Sequence, residues 1–105
     1  MIVVRVQFPI NVSNKSELVS QMETTTSKYE GLAGLTRKYY VMDEDGNHAG
    51  GIYLWKSKLQ AETWYNEDWV KYMTQTWGEP PLLEYLDCPI VVDNEFAKVS
   101  TKDAA

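Results

Sequence analysis

The chain has 105 residues, 44% of them hydrophobic and 24% charged, which is the size and composition of one globular domain. Its net charge of −5 argues against nucleic acid and anionic membranes as partners, because phosphate binding relies on clustered Lys and Arg. The single cysteine excludes an internal disulfide, no Cys/His cluster has metal-ligand spacing, and no apolar run approaches the ~20 residues that cross a bilayer. We therefore expect a cytoplasmic protein in which Cys88 is a buried, inert thiol.

The chain begins with a strand and a helix. Met1–Phe8 is rich in β-branched residues and is ended by Pro9, which is typical of a strand. Asn14 is expected to be a helix N-cap, with Glu17 as its capping-box partner three residues later. Apolar residues then recur at three- and four-residue steps, and the helix is expected to end at Gly31.

A hairpin follows. The segments Leu35–Met42 and His48–Trp55 have strand composition, and Asp45-Gly46 between them is a strong turn signal. The Gly50-Gly51 pair inside the second segment indicates close approach of another backbone, a bulge, or room for a ligand. It lacks the spacing of a dinucleotide-binding loop.

The last elements are a helix and a strand. Ser57 can cap a helix that breaks at Asn66 and stops at Gly78, and Leu82–Val92 is expected to be one strand. The order β-α-β-β-α-β predicts an α+β, ferredoxin-like domain with a four-stranded antiparallel sheet and both helices on one face. We expect this domain to span residues 1–94, with a tail over residues 95–105.

Neither face of the hairpin is simply polar. One face would carry Leu35, Arg37, Tyr39, Val41, His48, Gly50, Ile52 and Leu54, and the other Thr36, Lys38, Tyr40, Met42, Ala49, Gly51, Tyr53 and Trp55. A sheet with one wet face should alternate cleanly between apolar and polar side chains, so both faces are expected to be covered. The pattern predicts a homodimer in which a second sheet shields the Tyr- and Trp-bearing side, and it leaves open which face lines a pocket.

Several segments also carry a family resemblance. These are Gly31-Leu32, Gly34–Tyr40, Gly50–Trp55, Pro81–Tyr85 and Val91–Asn94. They resemble the YdhR-like putative monooxygenase family, most specifically in Gly-Gly-Ile-Tyr-Leu-Trp, over about Met1 to Asn94. The resemblance implies a dimeric α+β barrel, in which two ferredoxin-like subunits pack sheet against sheet.

Candidate catalytic residues are His48, Tyr40 and Arg37. His48 is the only histidine, and imidazole is a general base near neutral pH. It shares a face with Arg37 and Tyr39, so a proton acceptor beside a cation would stabilise an enolate or phenolate. The alternative is an exposed histidine beside a turn.

Candidate substrate-binding residues are Lys38, Tyr39, Tyr53, Trp55, Trp64 and Trp69. The residues on the face of Lys38 either line a pocket or pack a dimer interface. Trp64 and Trp69 belong to a helical stripe that packs on the sheet or walls an aromatic ligand site.

The resemblance implies a cofactor-independent monooxygenase for a small phenolic or polycyclic aromatic compound. In such enzymes the deprotonated substrate itself gives electrons to O₂, so the protein must remove a proton, hold the anion and exclude water. The alternatives are a non-catalytic small-molecule-binding protein and an isomerase of aromatic-degradation intermediates, since a shared fold does not fix function.

Overall fold

The computed structural model describes residues 1–10, 14–95 and 98–101 of the chain. Its strands and helices are β1 (Ile2–Pro9), α1 (Lys15–Glu23), α2 (Thr26–Tyr29), β2 (Leu35–Met42), β3 (His48–Trp55), α3 (Lys58–Trp64), α4 (Glu67–Trp77), β4 (Leu82–Asp87), β5 (Ile90–Asp93) and β6 (Lys98–Thr101). Strands β1 to β4 form one antiparallel sheet in the order β2-β3-β1-β4, and β5 pairs with β6 in a separate hairpin. This sheet order confirms the ferredoxin-like α+β fold.

The core lies between the sheet and the helices. Alternate residues of β1, namely Ile2, Val4 and Val6, are at most 2% exposed, because every second side chain of a strand points to the same face. Val4 pairs with Tyr53 on one side and with Tyr85 on the other, so β1 is central and its neighbours share its buried face.

The helix signals read from the sequence are largely confirmed. The side-chain oxygens of Asn14 and Asn66 accept hydrogen bonds from the backbone N–H groups of Glu17 and Trp69, at 2.8 and 2.9 Å. The expected break before Asn66 separates α3 from α4. The first helical segment is also broken, because the Thr25 hydroxyl donates to the Met22 carbonyl and competes with the helical pattern.

Three local expectations were wrong. A bulge between Leu35 and Arg37 turns Leu35 toward the core, away from the face of Arg37. The expected long fourth strand is split before Pro89, which cannot donate a ladder hydrogen bond, so β4 and β5 are separate. Cys88 is half-buried rather than buried, and its thiol lies 3.6 Å from the Ile90 carbonyl oxygen.

Part of the expected tail is also a strand. Residues 98–101 pair with β5, whereas residues 96–97 and 102–105 lie outside the described residues. The domain boundary at residue 94 stays a prediction. None of the helices in the described part of the chain has the length and apolarity needed to cross a bilayer.

The helices cover the aromatic face of the sheet. Tyr53 is 3% exposed and Trp55 is 1% exposed within the single chain. The expectation that a partner shields the Tyr- and Trp-bearing side was therefore wrong. The face left open carries Tyr39 and Val41, which are 47% and 41% exposed.

Candidate active site

A cavity of about 270 Å³ lies between the helices and the covered face of the sheet. Its walls come from strands β1 to β3 and helices α1, α2 and α4. They are formed by Phe8, Leu18, Gln21, Met22, Thr24, Thr25, Tyr29, Lys38, Tyr40, Gly50, Tyr53, Trp69, Tyr72, Met73, Thr76 and Trp77. Apolar and aromatic walls with a few polar groups are typical of small-molecule sites.

Among the described residues that line this cavity, Lys38 of β2 is the one with a cationic side chain. Its Nζ lies 3.6 Å from the ring centroid of Tyr29, 3.7 Å from that of Tyr40 and 4.8 Å from that of Tyr53. The faces of these rings attract a cation because their quadrupoles are negative there. The ammonium is thus held in an aromatic cage, which we define as the rings of Tyr29, Tyr40 and Tyr53.

The environment of Lys38 favours loss of its proton. No ion pair among the described residues includes Lys38. Burial, followed by repulsion from the positive charge of Lys28, lowers the pKa of Lys38 to about 7. An amine with this pKa exists in both protonation states near neutral pH, which suits it to proton transfer.

The hydroxyl groups of Tyr29 and Tyr53 remain protonated at neutral pH. Burial raises the pKa of Tyr29 and that of Tyr53. The hydroxyl of Tyr40 lies 2.7 Å from the Thr25 hydroxyl, which fixes the Tyr40 ring against α2. Tyr29 and Tyr53 can therefore act as neutral hydrogen-bond donors.

Two adjacent glycines of β3 explain how Lys38 fits into the sheet. A Cβ atom at Gly51 would lie 2.8 Å from Cε1 of Tyr53 and 3.2 Å from Cε of Lys38. A Cβ atom at Gly50 would overlap the backbone carbonyl of Val6 on β1. The expectation of close approach by another backbone is met at Gly50, whereas the space beside Gly51 is filled by the side chains of Tyr53 and Lys38.

A family model described as "Putative mono-oxygenase ydhR" matches residues 3–78. The chain belongs to this family. The match spans about three quarters of the chain and includes all the residues that line the cavity. No curated protein matches the chain.

The site residues proposed from the sequence divide between the two faces of the sheet. Lys38, Tyr40, Tyr53 and Trp69 line the cavity. Trp55 and Trp64 lie in or against the core behind it. Arg37, Tyr39 and His48 are carried by the open face of the sheet, so they are not brought together with Lys38.

The open-face candidates have local partners of their own. Nδ1 of His48 lies 3.1 Å from Oδ2 of Asp43, across the hairpin turn. Nη1 of Arg37 donates to the Tyr39 hydroxyl at 3.3 Å. Among the described residues, no group of three or more His, Cys, Asp or Glu side chains is placed to hold a metal ion.

Sequence reasoning missed Tyr29 as a site residue. Tyr29 ends α2, and its position continues the three- and four-residue steps of apolar residues in the first helical segment, as a core residue would. Its ring contacts Tyr40, Tyr53 and Trp64, at centroid distances of 6.4, 5.8 and 5.3 Å. Nothing in the helical spacing alone distinguishes such a residue from one that only packs.

Proposed function

We propose that this protein is a cofactor-independent monooxygenase that oxidises a small phenol in the cavity beside Lys38. The observation that carries the proposal is a lysine in an aromatic cage, with no carboxylate partner among the described residues. Burial in this cage lowers the pKa of Lys38 to about 7. Such an amine can take the proton of a phenol and then, as an ammonium ion, stabilise the phenolate. The family membership supports the reaction class.

The reaction starts with transfer of the phenol proton to the neutral amine of Lys38. The electron-rich ring of the phenolate then reduces O₂, and a bond forms between oxygen and the ring carbon para to the oxyanion. Loss of the para hydrogen as a proton and cleavage of the O–O bond release water and leave a quinone. One oxygen atom enters the product, the other leaves as water, and the substrate supplies all the electrons.

The cavity limits the size of the substrate. Its volume of about 270 Å³ is near the lower end of the usual range for ligand pockets, roughly 300–1,000 Å³. A one- or two-ring phenol, such as a hydroxynaphthalene with a free para position, suits it better than a polycyclic compound. Aromatic walls such as Trp69 and the stacked pair of Phe8 and Trp77, at 4.6 Å, can pack on a flat ring and exclude water.

We also propose that the functional unit is a cytoplasmic homodimer joined through the open face of the sheet. In support, Tyr39, Val41, Leu82 and Leu86 are each between 41% and 49% exposed on this face. These residues lie on β2 and β4, the two edge strands of the sheet, and large apolar side chains exposed on one face mark interaction sites. A two-fold interface would cover these side chains by using the same patch on both subunits.

The test is oxygen consumption with a panel of hydroxynaphthalenes. Lys38→Met should lower the rate by about 100-fold or more, because the proton acceptor and the cation are both lost. Arg37→Met is the matched control, since it removes a cation one residue away on the other face. Loss of activity in Arg37→Met or His48→Gln, with Lys38→Met active, would assign the chemistry to the open face and refute the proposal.

A non-catalytic binding protein would give a different result in the same assay. Hydroxynaphthalenes would then bind, and Lys38→Met would weaken the binding, but no oxygen would be consumed. Conversion of the substrate without oxygen uptake would instead indicate an isomerase. Either outcome would refute the monooxygenase and leave the cavity as the binding site.

A further inference from the structure

The hydroxyl of Tyr29 has a surrounding that packing alone does not explain. Burial raises the pKa of Tyr29, and the nearby side chains of Tyr53, Trp64 and Trp69 oppose this rise. The ring centroids of Tyr53 and Trp64 lie 5.8 and 5.3 Å from that of Tyr29. An indole N–H can only donate, so Trp64 and Trp69 can serve the Tyr29 oxygen only as hydrogen-bond donors. Side chains of β3, α3 and α4 that can donate thus surround a hydroxyl on α2.

One of these donors is unsatisfied in the structure. The Nε1 atom of Trp64 is buried and has no hydrogen-bond partner among the described residues. A buried donor without a partner costs about 1–3 kcal/mol and calls for an explanation. Negative charge on the Tyr29 oxygen would draw this N–H into a full hydrogen bond, since hydrogen bonds to charged acceptors are shorter and stronger.

The proton of the Tyr29 hydroxyl is available to a ligand. In none of the side-chain hydrogen bonds found among the described residues does Tyr29 donate to a protein acceptor. The residue lines the cavity, and its ring lies 3.6 Å from Nζ of Lys38. An oxygen atom that accepts from indole N–H groups is also a better donor through its own O–H, because linked hydrogen bonds polarise one another.

We infer that Tyr29 is a further catalytic residue, which donates a hydrogen bond to the oxyanion of the bound phenolate and completes, with Lys38, a two-part oxyanion site. This inference rests on the proposed function and names the contact that the substrate oxygen makes. Trp64 and Trp69 are positioning residues, which act through the Tyr29 oxygen. The site selects phenols whose oxyanion reaches both Lys38 and Tyr29, over aromatic compounds without an ionisable hydroxyl group.

The test measures binding of 4-nitrophenol, whose absorbance reports its ionisation. Tyr29→Phe keeps the ring against Lys38 and removes only the hydroxyl. We expect it to weaken binding of 4-nitrophenolate by about 10-fold or more and to raise the apparent pKa of the bound probe by about one unit. Binding of 4-nitroanisole, which has no oxyanion, should be unchanged.

Two further variants separate this role from packing. Tyr85→Phe removes a hydroxyl from a tyrosine that packs against the core and does not line the cavity, and it should leave both probes bound as in the wild type. Trp64→Phe removes the unsatisfied donor and should weaken only the anionic probe, by about 2- to 5-fold. If Tyr29→Phe does not fold, Trp64→Phe still tests the role of the Tyr29 hydroxyl.

The binding results for the Tyr29 and Lys38 variants test the role of Tyr29 separately from the proposed function. Unchanged binding of 4-nitrophenolate to Tyr29→Phe, together with weak binding to Lys38→Met, would refute the role of Tyr29 and keep that of Lys38. An equal loss of affinity for 4-nitrophenolate and 4-nitroanisole in Tyr29→Phe would show that Tyr29 only contributes packing. Failure of Lys38→Met to weaken the anionic probe would refute the proposed function itself.

Discussion

The two faces of the sheet place neighbouring cations in opposite surroundings. Arg37 and Lys38 are adjacent in β2, yet Arg37 is exposed on the open face and Lys38 is enclosed by tyrosine rings on the covered face. An exposed cation is screened by water and keeps its proton. A cation enclosed by aromatic rings is partly desolvated, so its charge becomes responsive to pH and to a bound anion.

The two faces of the sheet also differ in how their charged groups are paired. The open face carries polar and charged groups that pair locally, such as Arg5 with Glu84 at 3.9 Å and His48 with Asp43 at 3.1 Å. The covered face carries Lys38 without such a pair among the described residues. An unpaired group in a cavity is one that a substrate can pair with, and this difference directs the proposed function to the covered face.

The largest effect on stability is expected at Gly50, where β3 lies against the backbone of β1. Gly50→Ala should destabilise the protein by about 3 kcal/mol or more, because its Cβ would overlap the rigid carbonyl of Val6. Gly51→Ala should cost about 1–2 kcal/mol, since the side chains of Tyr53 and Lys38 can shift. Urea unfolding measures the loss of stability in each variant. A larger loss in Gly51→Ala than in Gly50→Ala would contradict this prediction.

The second prediction concerns the open face as an interface. Val41→Asp should weaken the proposed homodimer by about 100-fold, because a carboxylate would be buried against the partner. Light scattering at micromolar concentration should then give 12.1 kDa in place of a particle twice that mass. Val19→Asp is the matched control, since Val19 on α1 is 40% exposed and Val41 is 41% exposed. A wild-type particle of 12.1 kDa would refute the dimer.

The third prediction uses the titration of Lys38. Between about pH 7, the folded-state pKa of Lys38, and about pH 10, the unfolded chain holds a proton that the folded chain has released. Stability should therefore rise with pH over this interval, because the folded chain no longer buries a charged ammonium there. Above about pH 10 the slope should reverse, since burial raises the pKa of Tyr29 and that of Tyr53.

Urea unfolding at pH 6.5, 8 and 9.5 measures this dependence. In Lys38→Met, the free energy of unfolding should no longer rise with pH. This variant should also be more stable than the wild type at pH 6.5, where the wild type buries a charged ammonium. In Arg37→Met, stability should still rise with pH, because the charge that is removed is exposed in the folded wild type. A pH profile that is identical in the wild type and Lys38→Met would show that Lys38 stays charged up to pH 9.5.

The sequence predicted the elements better than it predicted the site. Caps such as Asn14 and Asn66 act within one turn of helix, so their neighbours in sequence are enough to identify them. The bulge beside Leu35 depends on pairing with β3, which local patterns do not contain. Strand parity correctly separated Lys38 from Arg37 but could not tell which face the helices cover, because both faces carry large apolar side chains.

The site also draws on residues that are far apart in sequence. Lys38, Tyr40 and Tyr53 were candidates because they share one face of a hairpin, and hairpin parity follows from the turn. Tyr29 reaches the same point from α2, and its approach depends on the break in the helix at Thr25. A prediction of Tyr29 would have required the packing of α2 on the sheet.

The smallest effect is expected from the ion pair of Arg5 and Glu84, and its size depends on whether the open face is covered. Each side chain is nearly half exposed, at 46% and 47%, in the single chain. In a monomer, Glu84→Gln should therefore change the free energy of unfolding by less than about 0.5 kcal/mol, as exposed pairs usually do. In a dimer that covers this face, the same change would leave Arg5 with a buried charge and no carboxylate, which costs more. Urea unfolding in the Val41→Asp background, compared with the unsubstituted chain, separates the two cases: an equal, small effect in both would mean that no partner covers this pair.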